Sequence, residues 1–405
     1  MEGLSQEVLQ AERSLIIARR RLHEHAEISF REYETTLWLE TQLNAIPNVR
    51  TERVTKTGVI AKIEGTKPGT PYTVGIRADI DALPMQEEPI EPFCSKNDGA
   101  MHSCGHDGHA AILLTAVRLL AESRDTFCGE VRCFFQHAEE LPPGGAIEMV
   151  RAGAAKGVDV MLALHLSSNF PTGAHGVKNG VLTANVDSFG VVVRGKGGHC
   201  AFPEQCKDPV VAAAAFILQA QTIVARRTAA RESVALSICE VHGGTAYNII
   251  PNEVVLNASV RTFGKEQRRK VREAVHKIAE GVATANDVMI DIDWLESYPS
   301  VENDAALAGM ARKLILGRYG EEKLLEMEPI MPGEDFSYFL ADGTPGFFLE
   351  LGSGNADKGC AFPHHNSKYR MDEDALAYGV QFELDAVRAL LDGTGRIIGE
   401  AKRSK

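Results

Sequence analysis

The 405-residue sequence predicts an α/β protein of two domains: a larger one built on a mixed sheet flanked by helices, interrupted by a ferredoxin-like α+β module. Three observations point there. The length exceeds one typical domain. Near both ends of the chain, short β-branched runs punctuated by glycine alternate with helix-period segments, the pattern of a sheet covered on both faces. Between them the order changes to strand, helix, strand, strand, helix, strand, which one four-stranded sheet with two helices on one face satisfies. The expected boundaries are 1–184 and 296–405 for the larger domain and 185–295 for the insert.

The elements follow in order. A long helical stretch is expected from about Gln6 to Leu43, with Arg and Glu on its solvent side. Strands follow at Val59 to Ile63 and Tyr72 to Ile76, the second leading into Arg77-Ala78-Asp79-Ile80-Asp81. His109 to Glu122 places Ile112, Leu113, Ala116, Leu119 and Leu120 on one helical face. Buried strands are expected at Val131 to Phe135 and Val158 to Leu164. In the insert the strands are Ser188 to Val193, Val234 to Cys239, Val254 to Val260 and Met289 to Ile292, with helices at Pro209 to Arg226 and Lys265 to Ala285. A helix at Ala305 to Tyr319, a strand at Phe347 to Leu351 and a helix at Asp374 to Leu391 complete the larger domain.

Composition narrows the partners. A net charge of −12 repels phosphate backbones and anionic lipid, so neither nucleic acid nor a membrane surface is expected. The first residues lack the basic start and apolar run of a secretory signal. No apolar run approaches the roughly 18 residues that span a bilayer; Ala212 to Leu218 comes nearest. The eight cysteines form no C-x-x-C pair, so reduced thiols and a cytoplasmic location are expected.

The metal-capable side chains fall at strand ends, where open α/β sheets place their ligand sites. The densest group is His102-Ser103-Cys104-Gly105-His106-Asp107-Gly108-His109. Cys104 and His106 are two apart and share a side in extended backbone. The plainer reading is a polar turn capped by Asp107. Glu139 and Glu140 leave the apolar strand that ends Phe134-Phe135. Two adjacent carboxylates at the mouth of a core strand are costly without cations to offset them, although a solvated acidic loop reads the same way. His165 ends the run Val160 to Leu164, and His364-His365 follows Ala361-Phe362-Pro363. Alone, each is as readily a core or surface histidine. Together, thiol, imidazoles and carboxylate form a mixed set suited to zinc, manganese or cobalt. Five ligands exceed a four-coordinate structural site, which favours a two-metal centre.

Six motifs stand in an order that resembles the aminoacylase/carboxypeptidase family of metallo-amidohydrolases, in its branch of hippurate and auxin-conjugate hydrolases. They are Arg77 to Pro84, Cys104 to His109, Gln136 to Glu140, Gly197 to Pro203, Asn248 to Pro251 and Gly333 to Phe336. The resemblance runs from about Arg20 to Leu384. It implies a catalytic domain split around a ferredoxin-like lid and dimerisation domain. It implies two divalent ions, zinc or manganese foremost and cobalt or nickel as further candidates, held by Cys104, His106, Glu140, His165 and His365. His365 is preferred to His364 because it stands shortly before Lys368-Tyr369 and Asp372-Glu373. Glu139 is the implied general base and Asp81 the carboxylate that orients a ligating histidine. His199, Asn248 and Arg261 match lid residues that reach a neighbouring subunit's active site in relatives, which implies at least a homodimer. His199 would stabilise the oxyanion, while Asn248 and Arg261 would hold a substrate carboxylate.

The expected activity is hydrolysis of the amide bond of N-acyl amino acids. A dipeptidase or carboxypeptidase on the same scaffold is the alternative, followed by a non-catalytic metal-dependent binding protein. Two departures stand out: His137 replaces the motif's proline, either as a partner just outside the metal ligands or, the preferred reading, as a tolerated surface residue, and Cys200 replaces an alanine. Asp335, Phe336 and Tyr338 read equally as a helix cap with core aromatics or as pocket lining.

Overall fold

The computed structural model describes residues 2–89 and 91–404. Its contacts divide the chain into two compact units, Met1–Leu182 with Val301–Glu328 and Asp335–Lys405, and Thr183–Ser300 with Pro329–Glu334.

The first unit is organised by an eight-stranded mixed sheet. Its centre is Glu130–Gln136, Thr73–Asp79, Val160–Pro171 and Gly346–Gly354, side by side and parallel. These are the most continuously apolar runs of the unit, as strands buried on both faces must be. The edge pair Val49–Arg53 and Val59–Glu64 is antiparallel. Register then aligns the chemistry. Asp79 pairs with Gln136, Arg77 with Ala163, and His165 with Glu350, so Asp79, Gln136, His165 and Glu350 lie at one level across four strands. The helices Gln6–Glu24, His106–Glu122 and Asp374–Leu390 pack on one another. All but two residues of His106–Glu122 are buried.

The second unit is a four-stranded antiparallel sheet in the order Ala235–Gly243, Glu253–Thr262, Asn185–Arg194, Met289–Glu296. Helices Pro209–Thr222 and Gly264–Asn286 supply the rest of its core, with Phe216 and Val275 against Val193 and Leu256. Trp294 stacks on Phe189 at 5.0 Å. The chain order and pairing are those of a ferredoxin-like βαββαβ module.

Three expectations need correction. The N-terminal stretch is two helices, Gln6–Glu24 and Tyr33–Asn44, separated by a turn. Helix periodicity alone conceals the break because the turn has no proline or glycine; Phe30 takes φ 65°, and the Glu27 carboxylate receives the Glu34 and Thr35 N–H groups that open the second helix. The strand carrying His165 runs on to Pro171 rather than ending there. Finally, Pro209–Arg227 is a helical segment of 19 residues with a mean hydropathy of 1.4 over its 18-residue window, longer than the run Ala212 to Leu218 suggested. It is the one described helix that meets membrane-spanning length and hydropathy, and Ala212, Ala213, Phe216 and Ala220 bury its inner face within its own unit.

Candidate metal centre

The first unit gathers the predicted ligands from four separate loops and strands. Donor atoms of Cys104, His106 and His165 lie within 4.8 Å of one another; so do those of Cys104, Glu140 and His365, and those of His106, Glu139 and Glu140. Cys104 and His106 belong to two of these sets, so the six side chains form one cluster. Within it Cys104 Sγ is 3.4 Å from His165 Nε2. Glu140 Oε1 is 3.2 Å from His365 Nε2 and 3.9 Å from His106 Nε2.

Local backbone explains the convergence, and it differs from the extended geometry expected. Gly105 takes φ 96° as the residue preceding the helix His106–Glu122, folding Cys104 back over the first turn where His106 sits. Ala138 takes φ 48°, so Glu139 and Glu140 both present an oxygen near His106 instead of facing opposite ways. His365 also adopts positive φ, at 61°. It turns to Glu140, whereas His364 Nε2 accepts the Ser168 N–H at 3.4 Å and packs on His165 and Tyr369. The structure therefore separates the two histidines that sequence left adjacent.

Asp81 fixes His106. The Nδ1–H donates to the Asp81 backbone carbonyl at 2.9 Å and lies 3.2 Å from its carboxylate. A carbonyl only accepts, so Nδ1 carries a proton, and Nε2 is the nitrogen left to ligate in the neutral ring. That buried Nε2 has no hydrogen-bond partner. An unpartnered imidazole lone pair aimed at a thiol and two carboxylates fits a cation better than any protein donor present. The Asp81 Oδ2 accepts the Ser29 hydroxyl at 2.7 Å and the Glu140 N–H at 3.1 Å.

Electrostatics point the same way. Burial, followed by Glu140 and Glu139, pushes the Cys104 thiol well above its usual range. A nearby divalent ion reverses that balance and yields the thiolate. Burial holds His165 well below the ordinary imidazole range, so it is neutral and able to ligate.

Behind the cluster lies a buried polar network that sequence reading missed. His109 Nδ1 donates to Asp79 Oδ1 at 2.6 Å, and its Nε2 accepts the Leu166 N–H at 2.8 Å. Both nitrogens are thus engaged within the protein, and His109 anchors the strand beside His165. Arg77, inaccessible to solvent, bonds Asp79, Gln136 and Asp335 at 2.7, 2.7 and 2.9 Å. Asp335 also receives the Ala146 N–H. Asp335 and Phe336 are buried, and Asp335 closes the clamp on Arg77. The signal was present in Arg77-Ala78-Asp79, an Arg and an Asp alternating on one face of a core strand. His137 corrects another expectation. It is buried, with Nε2 3.0 Å from Glu148 and its ring edge-on to Phe30 at 5.7 Å.

In the second unit, exposed His199 pairs with Ile249, and the Cys200 N–H donates to the Asn248 carbonyl at 3.2 Å. His199 Nδ1 accepts the Ala201 N–H at 3.1 Å, leaving Nε2 as the protonated nitrogen of the neutral ring. Arg261, half-buried, spends Nη1 on Ser259 Oγ and the Val260 carbonyl, both at 3.0 Å.

Residues 75–389 match the model of peptidase family M20/M25/M40. An N-acetylcysteine deacetylase of Bacillus subtilis is 39% identical over 372 residues, covering 91% of this chain and 94% of that protein. An N-acyl-L-amino acid amidohydrolase of Geobacillus stearothermophilus is 40% identical over 302 residues, 75% of this chain and 81% of its own length. Among solved structures, the Bacillus subtilis YXEP protein, a dinuclear metal-binding peptidase, superposes with a TM-score of 0.82 at 35% identity, covering 94% of this chain and 99% of that one. Motif order, fold and sequence similarity agree: this chain is a metal-dependent hydrolase and belongs to peptidase family M20/M25/M40.

Proposed function

We propose that the protein hydrolyses the amide bond of small N-acylated amino acids, releasing a carboxylic acid and a free amino acid. One observation carries the reading: Cys104, His106, Glu139, Glu140, His165 and His365 fall into three overlapping sets of three whose donor atoms lie within 4.8 Å, beside an unpartnered His106 Nε2. Cys104, His106, Glu140, His165 and His365 would hold two divalent cations, with zinc or manganese the best match to this mixed set. The chemistry so supplied is a water whose pKa falls toward neutrality and a polarised scissile carbonyl.

The protein's own groups then divide the work. Glu139 takes the water proton and returns it to the departing amine, which converts the amide nitrogen into a leaving group. Asp81 keeps His106 in the tautomer that exposes its Nε2 lone pair. His199 is the proposed hydrogen-bond donor to the oxyanion. Arg261 and Asn248 are the proposed partners of the substrate α-carboxylate, Arg261 because a planar fork matches it. The protein would act as at least a homodimer in the cytoplasm. The names of the deacetylase and amidohydrolase relatives support an N-acyl amino acid as substrate.

Glu139→Gln separates base from ligand. Turnover of hippurate and N-acetyl amino acids should fall by about 10²–10⁴-fold while bound metal stays at the wild-type level. Loss of metal in that variant would reassign Glu139 to ligation. Faster turnover of free dipeptides than of N-acyl amino acids, with metal-stripped enzyme reloaded by zinc, manganese or cobalt in turn, would overturn the substrate class.

A further inference from the structure

A carboxylate with no part in the chemistry just described sits behind the pair that has one. Glu32 is fully buried. Its Oε1 accepts two backbone N–H groups, those of Phe30 and Ala138, each at 2.9 Å. Phe30 and Ala138 are two of the few non-glycine residues with positive φ, 65° and 48°. That conformation costs an L-residue roughly 1–2 kcal/mol and persists only where the surroundings impose it. One oxygen thus pins both strained positions.

Ala138 immediately precedes Glu139 and Glu140, so its backbone sets the direction in which both carboxylates leave the chain. The Ala138 carbonyl accepts the Gly145 N–H at 3.0 Å, closing the loop from the other side. Ser29, next to Phe30, gives its hydroxyl to the Asp81 oxygen that also receives the Glu140 N–H. The turn between the first two helices therefore braces the Glu139-Glu140 segment at two points.

Building on the roles proposed for Glu139 and Glu140, we propose that Glu32 is a positioning residue for the reaction: by capturing the Ala138 N–H it holds the left-handed turn that aims both carboxylates into the metal centre. Burial, with the charge of Asp81 beside it, pushes the Glu32 carboxyl up to about 7. Acceptance needs only an oxygen lone pair, which acid and carboxylate both offer.

The test compares Glu32→Gln, which keeps an acceptor oxygen, with Glu32→Ala, which does not. Glu32→Ala should lose about 10- to 100-fold in kcat and in affinity for Co²⁺, the range typical of groups that orient ligands, with KM unchanged. The Co²⁺ affinity is read by absorbance titration of the metal-stripped protein. Glu32→Gln should stay near wild type in both readouts. Adding Ala138→Gly to Glu32→Ala should recover most of each loss, because glycine takes positive φ without the steric penalty. Wild-type kcat and Co²⁺ affinity in Glu32→Ala would overturn the proposal, as would a folded double variant with no recovery. If Glu32→Ala does not fold, Glu32→Gln decides, and loss of Co²⁺ affinity there overturns the acceptor role. Wild-type enzyme assayed alongside keeps the two readings apart: failure to cleave any N-acyl amino acid sinks the substrate assignment, while the Co²⁺ titrations still judge Glu32.

Discussion

Against the cost of burial, the carboxylates of Asp79, Asp81 and Glu140 raise His106 to about 10, so the metal-free ring holds a second proton that a bound cation would displace. His175 is equally inaccessible but lies against Tyr319, Tyr378 and Phe382, and burial holds it down to about 4. The same side chain is thus driven in opposite directions by what faces it. His175 carries a stability consequence away from the metal centre. Its folded pKa is below the ordinary 6.5, so the unfolded chain binds the proton more readily. Stability is complete above pH 6.5, declines as pH falls toward 4, and loses no more from this group below that. Across that window the loss is about 3 kcal/mol, from roughly 1.4 kcal/mol per pKa unit. Replacing the ring by another of similar size removes the titration, so urea unfolding of His175→Phe at pH 7 and pH 4.5 should show a visibly smaller drop than wild type. Equal drops would mean that His175 is already solvated in the folded state.

A single left-handed glycine decides how the helix His106–Glu122 begins. Gly105 has φ 96°, and a Cβ there would meet the Tyr369 hydroxyl at 3.1 Å and Leu166 Cβ at 3.4 Å. Gly105→Ala should therefore carry about 1–2 kcal/mol of backbone strain and move Cys104 relative to His106. Because that separation defines the proposed site, the variant should release metal to a chelator at about tenfold lower concentration than wild type. Retention equal to wild type would show that Cys104 and His106 do not share an ion. This turn also marks where sequence stops being legible. Residue type and order singled out Cys104, His106, Glu140, His165 and the His364-His365 pair as candidates, because thiols, imidazoles and carboxylates rarely collect at the ends of apolar strands without a reason; the choice of His365 rests on the family resemblance. The long apolar strands and Ala305–Tyr319 were equally readable from their periodicity. The turns that aim the ligands were not, because Phe30, Ala138 and His365 take positive φ in residues that do not advertise it. Nor were Val49–Arg53 and Leu324–Glu326, short edge strands whose charged residues lack an apolar pattern. Their pairing is imposed by neighbours.

At the level of the whole molecule, the second unit enters and leaves the first at adjacent points. The Leu182 N–H donates to the Val301 carbonyl at 2.9 Å, and Gly180–Val181 pairs with Glu302–Asn303 as an antiparallel ladder. Each unit also has its own apolar cluster, one spanning Ile76, Leu113 and Leu349, the other Val193, Phe216 and Leu256. A chain that closes on itself across the insertion point should tolerate loss of the insert, since loop-closure entropy changes little when the ends already touch. Joining Leu182 to Val301 through a short glycine linker should therefore leave a protein that unfolds cooperatively in urea and still binds Co²⁺. The stretch Pro329–Glu334 would lose the Thr183–Ile330 bridge and become an exposed loop, a local cost. Turnover should nevertheless fall by at least about 10²-fold, the typical loss when one oxyanion donor is removed, because His199, Asn248 and Arg261 all leave with the insert. A folded, metal-binding deletion variant that retained hydrolysis would place the whole reaction in the first unit and end the roles proposed for those three residues. A variant that failed to fold would show instead that the larger unit depends on the smaller for its core, contrary to the separation of their apolar clusters.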